Sequence, residues 1–236
     1  MRRIITILVV VLLFALLVIE SPKVYATETG EKVVYLTFDD GPTKGVTEDI
    51  LDELQRLNIK GTFFVVGKEI IDKEDILKRM YDEGHGIGLH TYTHNYNKVY
   101  SSVDTFVEEM KKTADFINEV LQQDANIKYI RFPGGSSGRL NQEFYDALKA
   151  QGYNIFDWNV NLEDGVKPNA TVYELVENAK KSRDDVDRKI ILAHCNLNNK
   201  NTVTAINGIY EYYTNQGYEF KAITNETLEY YYSFKK

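Results

Sequence analysis

The sequence predicts an α/β fold, a distorted (β/α) barrel of seven or eight strands. Strand-like runs alternate with helix-like runs seven times along the chain. No Pro/Gly/Ser-rich linker or composition break divides the 236 residues, so one large domain is expected. Polar residues of chemical interest fall at or just beyond the C-terminal ends of the predicted strands, the face on which such barrels build their sites. A doubly wound open sheet is the runner-up, and it would lack the phosphate-binding glycine fingerprint of that fold. No internal repeat or low-complexity tract is visible.

The elements follow in order. Arg2-Arg3 precede sixteen residues, Ile4 to Ile19, that are apolar apart from Thr6. At the extreme N-terminus behind two arginines this reads as an export signal. Val24-Tyr25-Ala26 offers a cleavage site, and retention as a membrane anchor is the alternative. The expectation is therefore a signal peptide or anchor at 1–26 and a catalytic domain at 27–236, outside the cytoplasm, with membrane contact only through the N-terminal segment. Strands are predicted at Val33–Phe38, Gly61–Val66, Gly86–Leu89, Tyr129–Phe132, Asn154–Trp158, Lys189–Ala193 and Tyr218–Ile223, from their short apolar runs between turn signals. Helices lie between them. Glu48–Leu57 places Ile50, Leu51, Leu54 and Leu57 on one face, and Val103–Leu121 does the same with Phe106, Val107, Met110, Ala114, Ile117 and Leu121.

Composition excludes some functions. Without residues 1–26 the chain carries 25 basic and 34 acidic side chains, and this acidic surface argues against nucleic acid or anionic lipid as the main partner. A single cysteine, Cys195, rules out an intramolecular disulfide, so the domain must be held by its core. A monomer is expected.

The chemistry begins with Asp39-Asp40 at the end of the first strand, followed fifty residues later by His90 and His94. One carboxylate and two imidazoles form a ligand set for an open catalytic zinc, which leaves the other aspartate free as a base. Consecutive residues leaving a strand diverge, so the two aspartates can take different roles. Taken alone, Asp-Asp-Gly-Pro is also an ordinary turn sequence. The separation of four is expected to put both imidazoles on one side of a helical turn. It matches the outer residues of the metalloprotease His-Glu-x-x-His, but Thr91 stands where that motif has its glutamate base. His85 falls outside the ligand spacing and is expected to be structural.

Thr37-Phe38-Asp39-Asp40-Gly41 and His90-Thr91-Tyr92-Thr93-His94 resemble the first two motifs of the polysaccharide deacetylase family, carbohydrate esterase family 4. The resemblance extends over roughly Val33 to Phe220. It implies Asp39 as base and Asp40, His90 and His94 as metal ligands. Arg131-Phe132-Pro133-Gly134-Gly135 stands where the family has Arg-Pro-Pro-Tyr. This implies that Arg131 holds Asp39 by a charge-assisted hydrogen bond and that Pro133 and Gly134 border substrate. The Gly134 N–H would face the oxyanion, but the family's aromatic ring is missing there. Asn161-Leu162-Glu163-Asp164-Gly165 matches Asp-x-x-Asp-Trp weakly, with Asp164 orienting the catalytic histidine and glycine in place of tryptophan. Leu192-Ala193-His194 matches Leu-x-His and makes His194 the general acid. Trp158 is either a pocket floor or core packing. Cys195 adjoins His194, but neighbours on a strand point apart, which is poor geometry for a nucleophilic dyad.

The resemblance thus implies a metal-dependent hydrolase, with Zn²⁺ or another divalent ion such as Co²⁺, Ni²⁺ or Mn²⁺. Its substrate would be an N-acetylated polysaccharide, with peptidoglycan N-acetylglucosamine first and chitin-type oligomers next. A two-carboxylate glycosidase is the rival enzyme class, and it needs carboxyl groups roughly 5–9.5 Å apart across the scissile bond. A glycan-binding domain with weakened catalysis is the rival outside enzymology, prompted by the glycines at 134 and 165.

Overall fold

The first strand, β1 (Val33–Asp39), is buried along its whole length, because it is covered on both faces and paired on both edges. The structure, a computed structural model, describes residues 30–234, and the expected export segment at 1–26 lies outside them. Seven strands follow: β2 (Thr62–Val65), β3 (Gly86–Leu89), β4 (Tyr129–Ile130), β5 (Asn154–Ile155), β6 (Val160–Asn161), β7 (Arg188–His194) and β8 (Glu219–Phe220). All the named pairings are parallel.

The strand order β5-β4-β3-β2-β1-β7-β6 is that of a ring cut once, between β5 and β6, with β8 on the lower half of β1. First and last long strands are neighbours, as barrel closure requires and a doubly wound sheet does not. The fold is therefore a distorted (β/α) barrel. Where the ring is cut, the C-terminal segment fills in: Tyr230 N–H donates to the Ile155 carbonyl (3.0 Å), and Asp157 N–H donates to that of Tyr230 (2.6 Å).

Helices cover the outside: α1 (Val46–Arg56), α2 (Glu74–Asp82), a short α3 (Tyr96–Val99), α4 (Val103–Leu121), α5 (Gln142–Ala150), α6 (Val172–Ala179) and α7 (Lys200–Thr214). The predicted limits of α4 match those found. Its N-terminus is capped by the Ser102 hydroxyl, which accepts from Thr105 N–H (3.0 Å), and Gln122 ends it in the left-handed region (φ 56°). Phe106, Met110 and Ile117 form its buried face. Among the described residues no helix is long and apolar enough to cross a membrane.

Four strands differ most from expectation. β4 and β5 are two residues each, because the apolar residues predicted to extend them, Phe132, Phe156 and Trp158, lie beyond the strand ends. β6, too short to show a periodicity, was not predicted. β8 keeps only two residues of the Tyr218–Ile223 run.

Candidate active site

Side chains alternate along β1, and this alternation starts the site. Thr37 and Asp39 share the face that meets Arg131, while Phe38 points to the other side, where it and Leu54 of α1 close on Gly61. Arg131, just after β4, is fully buried inside the barrel. Its Nη1 donates to Asp39 Oδ1 (2.8 Å) and to Thr37 Oγ1 (2.6 Å), and its Nε donates to the Phe156 carbonyl (2.8 Å). The guanidinium also lies 4.1 Å from the Phe64 ring centroid. These contacts fix Asp39, itself 3% exposed, with Oδ2 directed to His90 Nε2 at 3.8 Å.

Asp40 turns away from its neighbour because its backbone is left-handed (φ 75°), a conformation that aspartate tolerates better than most residues. Asp40 Oδ1 lies 3.4 Å from His90 Nε2 and 3.2 Å from His94 Nε2. The expected helical turn between the two histidines is absent. His90 continues past β3, and the chain then folds back through left-handed Thr91 (φ 66°) and His94 (φ 51°). Buried Glu109 of α4 pins this loop, accepting from the N–H groups of Tyr92 (3.0 Å) and Thr93 (2.7 Å) and from the Thr93 hydroxyl (2.9 Å). Asn95 then caps α3. Backbone bonded to a side chain in this way is diverted from helix. The loop nevertheless brings the rings together, at 5.0 Å between centroids.

One ligand atom each from Asp40, His90 and His94 lies within 4.8 Å of the others, and the donor set suits a divalent ion. His90 Nδ1 bonds to the Arg131 carbonyl (2.9 Å), which can only accept, so Nε2 keeps its lone pair for a ligand. Burial pushes the His94 pKa down to about 4, helped by His90, so this imidazole is neutral at pH 7. For Asp40, burial is the largest influence and raises the pKa. Protonation of the neighbouring imidazoles, His90, His94 and His194, outweighs it and holds the carboxyl below the usual range. Its second oxygen accepts from Asn196 Nδ2 (3.0 Å). A groove of about 640 Å³ opens beside Asp40 and His94, with Lys44, Lys68 and Asn196 in its walls.

His194 closes β7 and stands level with Asp39 in the β1–β7 register. Its Nδ1 bonds to Asp164 Oδ1 (2.8 Å). The other oxygen of Asp164 accepts from His194 N–H (2.9 Å), Thr202 Oγ1 (2.8 Å) and Asn199 Nδ2 (3.2 Å). Burial, the largest single influence, lowers the His194 pKa. The Asp164 hydrogen bond and charge, with Asp39 and Asp40, more than reverse this and lift it to about 9.

A sequence model described as "Polysaccharide deacetylase" matches residues 26–156, more than half of the chain. The chain belongs to the polysaccharide deacetylase family. It is 30% identical over 220 residues to a peptidoglycan-N-acetylglucosamine deacetylase of Bacillus cereus, covering 88% of this chain and 78% of that one. It is 28% identical over 211 residues to the peptidoglycan-N-acetylmuramic acid deacetylase PdaA of Bacillus subtilis, covering 87% and 75%. Among solved structures, the polysaccharide deacetylase Bc1974 of Bacillus cereus superposes with a TM-score of 0.75 at 31% identity, covering 84% of this chain and 94% of that one.

The departures from the polysaccharide deacetylase motifs have local explanations. Gly134 and Gly135 are both left-handed (φ 73° and 85°), where a side chain is strained. The Tyr100 hydroxyl donates to the Pro133 carbonyl (2.7 Å), which fixes the same loop. At Gly165 an added Cβ would lie 2.5 Å from His194 Cε1, so the backbone itself packs on the imidazole. Cys195 is fully buried, its Sγ donating to the Asp39 carbonyl (3.3 Å), and burial raises its pKa. It points away from any role as nucleophile. His85 lies before β3, at the opposite end of that strand from His90, accepting at Nδ1 from Gly61 N–H (3.2 Å). Trp158 packs beneath Gly135 and against Tyr232, as a core residue.

Sequence reasoning missed Asn196, Glu109, Asn199 and Thr202. Only Glu109 left a signal, as an acid on the apolar stripe of α4 between Phe106 and Met110.

Proposed function

We propose that this protein is a metal-dependent amidase that removes N-acetyl groups from amino sugars of a polysaccharide outside the cell, with peptidoglycan N-acetylglucosamine as the preferred substrate. The observation that carries this reading is the junction at the strand ends: Asp39, bound to a buried arginine, borders the Asp40–His90–His94 cluster, and the Asp164-bound His194 stands on the next strand. Zn²⁺, or Co²⁺, Ni²⁺ or Mn²⁺ in its place, held by Asp40, His90 and His94, would polarise the acetamide carbonyl and lower the pKa of a water.

Asp39 takes the proton from the attacking water at Oδ2, the oxygen that Arg131 leaves free. The Gly134 N–H, at the turn after Arg131, donates to the developing oxyanion. His194 is protonated at neutral pH and oriented through Nδ1, so its Nε2 supplies the proton to the departing amine as the C–N bond breaks. Acetate and a free amino sugar result. A glycosidase reading gains no support, because Asp39 and Asp40 are committed to Arg131 and to two imidazoles rather than facing each other across a sugar. Export through residues 1–26 accords with relatives named for peptidoglycan.

The test is acetate release by the full chain from purified peptidoglycan and from N-acetylglucosamine oligomers, before and after chelation and on returning Zn²⁺. Metal-dependent acetate with glycan length unchanged is expected. No acetate from either substrate, with metal demonstrably bound, would sink the reading.

A further inference from the structure

The polysaccharide deacetylase motif has a ring where this chain has Gly134, yet the space is filled. A Cβ built on Gly134 would lie 2.7 Å from the Tyr96 hydroxyl and 3.4 Å from its Cε1. Tyr96, on the short helix α3 that follows the histidine loop, therefore takes up the volume that a side chain at 134 would enter from the opposite wall. Its ring stands edge-on to that of His94, at 5.5 Å between centroids and 81° between planes. On another side it meets Tyr100 at 5.8 Å. The Arg139 guanidinium lies 5.2 Å from the Tyr96 centroid and 4.7 Å from that of Tyr100, tying the two rings to the segment after Gly135. Asn95 caps the helix, and Tyr100 is itself anchored on Pro133.

With so many neighbours the ring would be expected to be buried, but Tyr96 is 42% exposed. A single exposed aromatic is ordinary on a protein surface. One held in place by a histidine, a tyrosine and an arginine, beside the metal-ligand cluster, offers a flat apolar surface that loses little entropy on binding. Saturated sugar rings present a face of C–H groups that suits such a surface, with hydroxyls left at the rim.

We propose that Tyr96 is the aromatic platform for the pyranose that carries the acetamide, supplied from the histidine loop in place of the ring absent at 134. The assignment rests on the deacetylase reading above. It makes Tyr96 a specificity-determining residue that acts on sugar binding and not on the reacting bond. Replacing the ring should therefore weaken binding of the sugar, whereas a substrate with no sugar should not register the change.

The experiment compares Zn²⁺-loaded full-length wild type, Tyr96→Ala and Tyr96→Phe on an N-acetylglucosamine tetramer and on 4-nitrophenyl acetate, with bound zinc measured in each. Tyr96→Ala is expected to raise KM for the tetramer about tenfold, a typical effect of losing one aromatic contact, with kcat within about twofold. Tyr96→Phe should behave as wild type, and ester hydrolysis and zinc content should not change in either variant. An unchanged tetramer KM in Tyr96→Ala overturns the proposal. So does an equal loss on tetramer and ester, or a loss of zinc, either of which would mean that the ring only props His94. A wild type that neither binds nor deacetylates the tetramer overturns the functional reading and this proposal together, an outcome distinguishable because it precedes any substitution.

Discussion

Asp164→Asn tests the proposed acid directly. Asp164 presents one oxygen to three donors, His194 N–H, Thr202 and Asn199, and the other to His194 Nδ1. An asparagine will keep its oxygen on the three donors and turn its NH₂ toward Nδ1. The imidazole must then accept at Nδ1, and the charge that favoured its protonation is gone. Raising the His194 pKa from 6.5 to about 9 corresponds to roughly 3 kcal/mol in favour of the imidazolium. Without Asp164 the burial that lowers the pKa remains, so the group should titrate at or below 6.5. The alkaline limb of kcat/KM for an N-acetylglucosamine tetramer, followed by acetate release from pH 5 to 10, should move from near pH 9 to below about 6.5. At pH 8 this is a loss of about thirtyfold in protonated enzyme, shrinking to almost nothing by about pH 5.5. The same shift has a stability consequence. A pKa raised on folding contributes stability that is fully present below about 6.5 and lost as pH rises through about 9, so the variant should be least stable relative to wild type in acid. An alkaline limb still near pH 9 in the variant, or a loss uniform with pH, would refute the reasoning.

Gly165→Ala places a methyl 2.5 Å from His194 Cε1. It should displace the imidazole and lower kcat on the order of a hundredfold, within the range set by general acid catalysis, while the bound metal measured by elemental analysis stays at wild-type level. Arg131→Ala leaves the Asp39 carboxylate buried without its cation and three other oxygens without their donors. Urea unfolding should show a loss of about 3–5 kcal/mol, and turnover should fall below detection even where the protein stays folded. A stability within 1 kcal/mol of wild type, on the order of a surface change, would mean that the interior rearranges.

How much of this was legible in the sequence depended on how many residues carried each signal. α4 announced itself through nineteen residues of helical period, and its limits were read correctly. β1 and β3 were readable because they are apolar on both faces. β6 was not, since two residues have no period, and β4 and β5 were overextended because apolar loop residues around Arg131 and Asp157 look like strand. In the site, short linear motifs gave the aspartates and histidines, but the helical turn assigned to His90 and His94 was wrong. Spacing of four is necessary for that geometry and does not produce it. The turn is lost to a carboxylate seventeen residues downstream of Tyr92, and no local pattern encodes that bond. Asn196 and Thr202 escaped for the same reason: each is one polar residue in a polar stretch, and only the fold brings it to Asp40 or Asp164.

The cut ring of strands also governs when the site can come into being. β1 emerges first from synthesis, but one of its edges waits for β7, and the Thr37 hydroxyl donates to the Ile191 carbonyl 154 positions later. A chain grown only as far as α6 has β2 beside β1 and a bare edge on the other side, which invites pairing with other chains. Contacts of such long sequence separation make closure slow, because the loop entropy is lost before the strand pairing repays it. Asp39 and Asp40 therefore meet His194 only when β7 pairs with β1, and a partly made chain carries both aspartates and the His90–His94 pair without the proposed acid.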